Sequence, residues 1–135
     1  MRKEIPIKTT KANELIDITG HLKAFLRESG IKDGIIAVYV PHTTAAVTIN
    51  ENADPSVKAD ILMELNKIIP HDDRYSHLEG NSAAHIKASI LGASEMIFVE
   101  GGELILGTWQ GVFFCEFDGP RNRKFHIHAI HAGGK

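Results

Sequence analysis

Two short runs constrain this chain more than any other feature. Ile35 to Val40 reads Ile-Ile-Ala-Val-Tyr-Val, and Val112 to Phe117 reads Val-Phe-Phe-Cys-Glu-Phe. Successive side chains on a strand point to opposite faces. A strand that is apolar at both parities must therefore be covered on both sides. A chain of 135 residues is sized for one domain, and two such strands are generous for it. The pattern predicts that subunit contacts cover one of these faces, and hence a homo-oligomer.

Other strands are expected at Lys3–Thr10, Glu14–Ile18, Val47–Asn50, Glu95–Glu100, Glu103–Leu106 and Lys124–Ile130. Gly101-Gly102 is a two-residue hairpin signal. Three helices interrupt them. Thr19 caps the first, which carries Leu22, Phe25 and Leu26 on one face and stops at Gly30. Asp54 caps the second, with Pro55 at its first position and a stripe of Val57, Ile61, Leu62, Leu65, Ile68 and Ile69 before Pro70. Ser82, or alternatively Asn81, caps the third, which runs to Ile90 or Leu91 and ends at Gly92. About eight strands and three helices, with strands clustered at both ends, predict an α+β domain over residues 1–135. Its sheet is antiparallel or mixed, a sandwich or distorted barrel with the helices packed outside. The tail from Ala132 to Lys135 reads as loose.

Composition excludes several function classes. Net charge is −2, from 15 basic and 17 acidic residues, which leaves no electrostatic footprint for nucleic acid or an anionic membrane. No apolar run approaches the ~20 residues of a spanning helix, and the N-terminus has no apolar segment of signal type. Cys115, the single cysteine, lies in an apolar run. A reduced, cytoplasmic protein with an inert thiol is the expectation.

Eight histidines are many for such a chain. His77 lies in a long charged loop, His71–Gly80, of a length that is often functional. His85 falls in the first turn of the third helix, where the positive end of the helix favours neutral imidazole, the metal-binding form. His42 follows a buried strand, a rigid mount for a ligand. Three histidines with an open position suit a catalytic divalent metal, with zinc favoured by imidazole. Hydrogen-bonded or surface histidines are the alternative. His126 and His128 share a strand face that exposure explains, and His21, His71 and His131 read as surface residues.

Further groups stand out. Arg121 and Arg123 follow a Gly-Pro turn at alternate positions and would share a strand face, suiting phosphate or carboxylate, unless they are ordinary turn arginines. Trp109, between glycines, is either core or a stacking platform, with Thr108 and Gln110 as neighbouring polar groups. Glu51 and Glu116 each need a partner. Either can serve as a base or a partner to histidine, and for Glu116 an ion pair with Arg121 is the favoured reading.

Four blocks occur in order: His42-Thr43-Thr44-Ala45 continuing to Thr48-Ile49-Asn50-Glu51-Asn52; His77 with Gly80-Asn81 and Ala84-His85-Ile86-Lys87; Gly107-Thr108-Trp109-Gln110-Gly111-Val112; and Glu116 with Gly119-Pro120-Arg121 and Arg123. Together they resemble the YjbQ-type family, also called secondary thiamine-phosphate synthases. The resemblance implies a β-rich homotrimer with polar residues clustered around the histidines near a subunit interface. It implies His42, His77 and His85 as ligands of a divalent metal. It also implies a transferase that joins an aminopyrimidine diphosphate to a thiazole phosphate and releases diphosphate. Fitted to that chemistry, Arg121 and Arg123 clamp the diphosphate, Trp109 stacks on the heterocycle, and Thr43 and Thr44 contact substrate. Asn81, Gln110, Glu51 and Glu116 serve the reaction. A metal-dependent phosphate-ester hydrolase and a non-enzymatic metal- or anion-binding module are the alternatives.

Overall fold

The structure is a computed structural model that describes residues 1–133. Its elements are β1 (Arg2–Lys8), β2 (Glu14–Asp17), α1 (Thr19–Ser29), β3 (Gly34–Tyr39), β4 (Ala45–Glu51), α2 (Pro55–Ile68), α3 (Ser82–Leu91), β5 (Ser94–Glu100), β6 (Glu103–Leu104), β7 (Gln110–Glu116) and β8 (Asn122–His131). The strands form a five-stranded sheet, β1-β8-β3-β5-β6, and a three-stranded sheet, β2-β7-β4. Every pairing among the described residues is antiparallel. The expected α+β class holds. Of the expected loose tail, Ala132 and Gly133 form a turn, and Gly134 and Lys135 lie outside the described residues.

The three-stranded sheet is the middle layer. One face of β7 sends Val112 and Phe114 into the main core with Val47, Phe25, Phe125 and Ile127. The other face sends Phe113 and Cys115 into a second core, with Leu15, Ala46, Phe117, Ala84 and Ala88. Half-buried Ile61, Leu62 and Leu65 of α2 complete it. The apolar run Val112–Phe117 is thus covered on both faces within one chain. Burial, and secondarily the charge of Glu95, pushes the Cys115 thiol far above its ordinary range, which leaves it inert.

The run at β3 has a different outcome. Ile36, Val38 and Val40 enter the main core. The alternate residues face outward, where Ile35 lies opposite Phe98 and Ile130, and Ala37 opposite Met96. Tyr39, Met96, Phe98 and Ile130 remain about half exposed or more, at 52%, 58%, 60% and 49%.

Local chemistry explains the element ends. Asp54 caps α2 as expected, accepting from the Ser56 N–H at 2.9 Å. At α1 the cap differs from expectation: Asp17 accepts from the Thr19 N–H at 2.9 Å, and the Thr19 hydroxyl accepts from the Val112 N–H at 2.8 Å. Thr19 therefore fastens the helix to β7. Asn81 precedes α3 without a side-chain cap bond. Gly101 and Gly102, with φ of +59° and +78°, close the β5–β6 hairpin in the backbone that a tight two-residue turn needs.

Candidate functional site

His42 is set by the end of β3. Tyr39 lies opposite His126 in the β3–β8 ladder. Two residues further on, position 41 would lie opposite Lys124, and Pro41 has no N–H to give. The His42 ring fills the place. Its Nε2 lies 3.0 Å from the Lys124 nitrogen and 3.1 Å from the Lys124 carbonyl oxygen. When Nε2 accepts from the Lys124 N–H, Nδ1 carries the ring proton; in the other tautomer Nε2 donates to the carbonyl and Nδ1 is left as a free ligand atom. Burial lowers the His42 pKa, and the Arg123 charge lowers it further; the Lys124 bond and Glu116 oppose this without reversing it. The ring is neutral at neutral pH.

Behind His42 lies a buried ion pair. Arg123 Nε donates to Glu116 Oε1 at 2.8 Å, and a terminal guanidinium nitrogen donates to Glu116 Oε2. That nitrogen also donates to the Thr44 hydroxyl at 2.8 Å. Glu116 accepts two more bonds, from the Thr9 hydroxyl at 2.8 Å and the Asp118 N–H at 2.9 Å. Burial would raise the Glu116 pKa; the bonds from Arg123, Asp118 and Thr9, with the guanidinium charge, hold it below its ordinary value. The pair joins the two sheets and fixes Thr44, two residues from His42.

This corrects two expectations. Glu116 pairs with Arg123, not Arg121. The two arginines do not share a face: Arg123 is buried, and Arg121 precedes the strand, bonding the Asp118 carbonyl at 2.7 Å and its carboxylate at 3.0 Å. Arg123 is buried, with its Nε and one terminal nitrogen bonded to Glu116 and Thr44, so Arg121 and Arg123 do not form a paired guanidinium clamp. Asn81 donates to the same Asp118 carboxylate at 3.0 Å, while its buried carbonyl oxygen has no partner.

His85 and His42 line one groove of about 470 Å³, with Thr43, Ser89, Gly92 and Ala93. His77 packs edge-on against His85, ring centroids 5.6 Å apart at 86°. The ring of His77 also faces Glu79, 4.0 Å away. Thus one imidazole pair is in contact, and a third ring shares the groove. Among the described residues, however, no three His, Cys, Asp or Glu side chains stand close enough together to hold a metal ion. The donor types suit zinc, but the set does not close within one chain.

The remaining expected residues lie elsewhere. In the β4–β7 ladder, Ala45 is opposite Glu116 and Glu51 is opposite Gln110. Those positions are six residues apart on β4, about 20 Å at ~3.3 Å per residue. Glu51, Trp109 and Gln110 are therefore at the far end of the ladder from His42. Trp109 is 63% exposed, which rules out its core reading. The Gln110 side-chain oxygen accepts from the Gly107 N–H at 2.8 Å and closes its own loop.

Residues 3–132 match the family described as UPF0047 protein YjbQ-like. This chain belongs to that family. YugU of Bacillus subtilis, a UPF0047 protein, is 56% identical over 128 residues, 94% of this chain and 97% of its own. A UPF0047 protein of Methanocaldococcus jannaschii is also 56% identical, over 92% of this chain and 90% of its own. The crystal structure of a YjbQ/UPF0047-family protein of Clostridium acetobutylicum superposes with a TM-score of 0.94 at 53% identity, over 95% of this chain and 99% of that one.

Within this YjbQ-like chain, sequence reasoning missed several residues that shape the site. The Lys124 backbone orients His42, and a backbone group has no signature in the sequence. Thr9 reaches Glu116 from 107 positions away, a contact only folding creates. Lys23 and Arg27, on the polar face of α1, did carry a signal: two cations one helical turn apart. They line a cavity of about 600 Å³, beside Gln110.

Proposed function

We propose that this YjbQ-like protein is an enzyme acting on a small phosphorylated molecule at the His42–His85 groove. Formation of thiamine monophosphate with release of diphosphate is the named case. The carrying observation is the His77–His85 contact beside a groove that His42 also lines. Imidazoles at a groove wall can accept or deliver a proton. Thr43, exposed at the same wall, can bond a phosphate oxygen. Glu116, Arg123 and Thr44 hold the segment that carries His42 and act as positioning residues. His77 and His85 would offer two imidazoles to a divalent metal, zinc being the expected ion, and His42 would serve as the third ligand only by moving toward that pair. A bound metal would supply charge stabilisation for the departing diphosphate.

Thiamine-phosphate formation is tested by incubating purified protein with aminopyrimidine diphosphate and thiazole phosphate and measuring released diphosphate, beside the metal content of the same sample. Turnover with about one metal per chain supports the full reading. Metal without turnover favours a non-enzymatic binding module. One observation favours that second reading: Glu116 is saturated by donors, Glu51 is remote, and among the described residues no carboxylate lines the groove itself.

The protein is also proposed to be a homotrimer, with the outward face of β3, β5 and β8 as its contact surface. Four large apolar side chains standing together on that face are of the kind an interface covers. Phe98→Glu is expected to convert the trimer to a single chain in light scattering while the fold, read by circular dichroism, persists. An unchanged mass would place the contact elsewhere.

A further inference from the structure

A cavity of about 600 Å³ lies between α1, the β5–β6 turn and the loop before β7. It sits at the far end of the β4–β7 ladder from the histidine groove. Its floor is apolar, formed by Leu26, Leu104 and Leu106. Its rim carries Lys23 and Arg27, one turn apart on α1. Neither cation has an ion pair or side-chain hydrogen bond among the described residues: the neighbouring acid, Glu28, is taken by Lys3 at 3.1 Å.

Other polar groups at this cavity are also unengaged. The Thr108 hydroxyl has no hydrogen bond among the described residues, and Gln110 uses only its oxygen, on Gly107. That leaves its amide N–H groups free to donate. Asn52 is held in place by its backbone N–H on Trp109 O at 2.9 Å and its side chain on Asp17 at 3.3 Å. Gly111 is required beneath it, since a Cβ there would come within 2.5 Å of the Asn52 amide. One carboxylate, Glu103, also lines the cavity. Two cations, one carboxylate and a leucine floor within ligand-sized volume make an asymmetric site.

We propose that this cavity binds a phosphorylated planar heterocycle: phosphate between Lys23 and Arg27, ring on the leucine floor, amino or sugar hydroxyl donors toward Glu103. A guanidinium and an ammonium one turn apart match the oxygens of one phosphate. An acceptor-only carboxylate suits the donor-bearing end of the ligand and repels a second phosphate placed there. The inference is independent of the histidine site.

AMP, adenosine and inorganic phosphate serve as probes, by calorimetric titration and amide shifts in isotope-labelled protein. AMP is expected to shift the amides of α1 and of residues 102–110, with adenosine and phosphate each binding at least 10-fold more weakly. Lys23→Ala with Arg27→Ala, both at exposed positions, is expected to weaken AMP at least 30-fold with an unchanged melting temperature. His85→Ala is expected to leave AMP binding unchanged. Shifts absent from those two segments would overturn the site. Equal AMP affinity in the double variant would overturn the phosphate position. Phosphate binding as tightly as AMP would overturn the ring.

Discussion

Arg123→Ala is expected to destabilise the fold by about 3–5 kcal/mol, the cost of leaving a buried charge without its partner. That corresponds to roughly 10–20 °C in melting temperature for a domain of this size. The physical reason lies in Glu116. It is fully buried, and the guanidinium supplies two of the hydrogen bonds that keep it ionised. Removing both partners together, as Arg123→Met with Glu116→Leu, is expected to recover most of the loss, because no charge is then stranded. Thermal melts of the two variants beside the native protein check this; equal losses in the single and double variants would show that packing, not charge, sets the cost.

The pH dependence of this pair has a definite sign. In the native protein Glu116 titrates below its ordinary value, so the unfolded chain binds the proton more readily. The stability it contributes is complete above the unfolded glutamate value of about 4.3 and is lost as pH falls through the lower folded value. In Arg123→Ala, burial, the largest influence on this carboxyl, is no longer outweighed. The folded value then rises above the unfolded one, and the sign reverses. The variant is expected to gain stability between pH 7 and pH 5, where the native protein does not.

His85→Ala is expected to lower turnover by roughly 10³-fold or more, on the order of 4 kcal/mol, with loss of any bound metal. The fold should persist. His85 is only half-buried on α3, and alanine is the best helix former. Its ring touches His77 and lines the groove, so one substitution removes both the paired ligand and the groove wall. Metal content, diphosphate release and melting temperature are read on one preparation. Full turnover in the variant would remove the groove from the chemistry.

Much of the fold was legible in the sequence because it rests on short-range rules. Alternation located the strands, helical spacing the helices, and the Asp-Pro and Gly-Gly pairs their ends. The blocks around His42, His85, Trp109 and Arg123 marked the family before any contact was visible. Which residues meet was not legible. The sequence offers Arg121 and Arg123 as equivalent; only the start of β8 between them buries one beside Glu116 and leaves the other on a turn. Trp109 and His42 belong to one family pattern, yet the antiparallel ladder places them at opposite ends. The two runs apolar at both parities look alike along the chain. Each sends one face into the main core, but the second face of one is covered by α2 and α3 while that of the other points outward, because burial depends on which layers stack against a strand, and that is a property of long-range packing rather than of the strand's own residues.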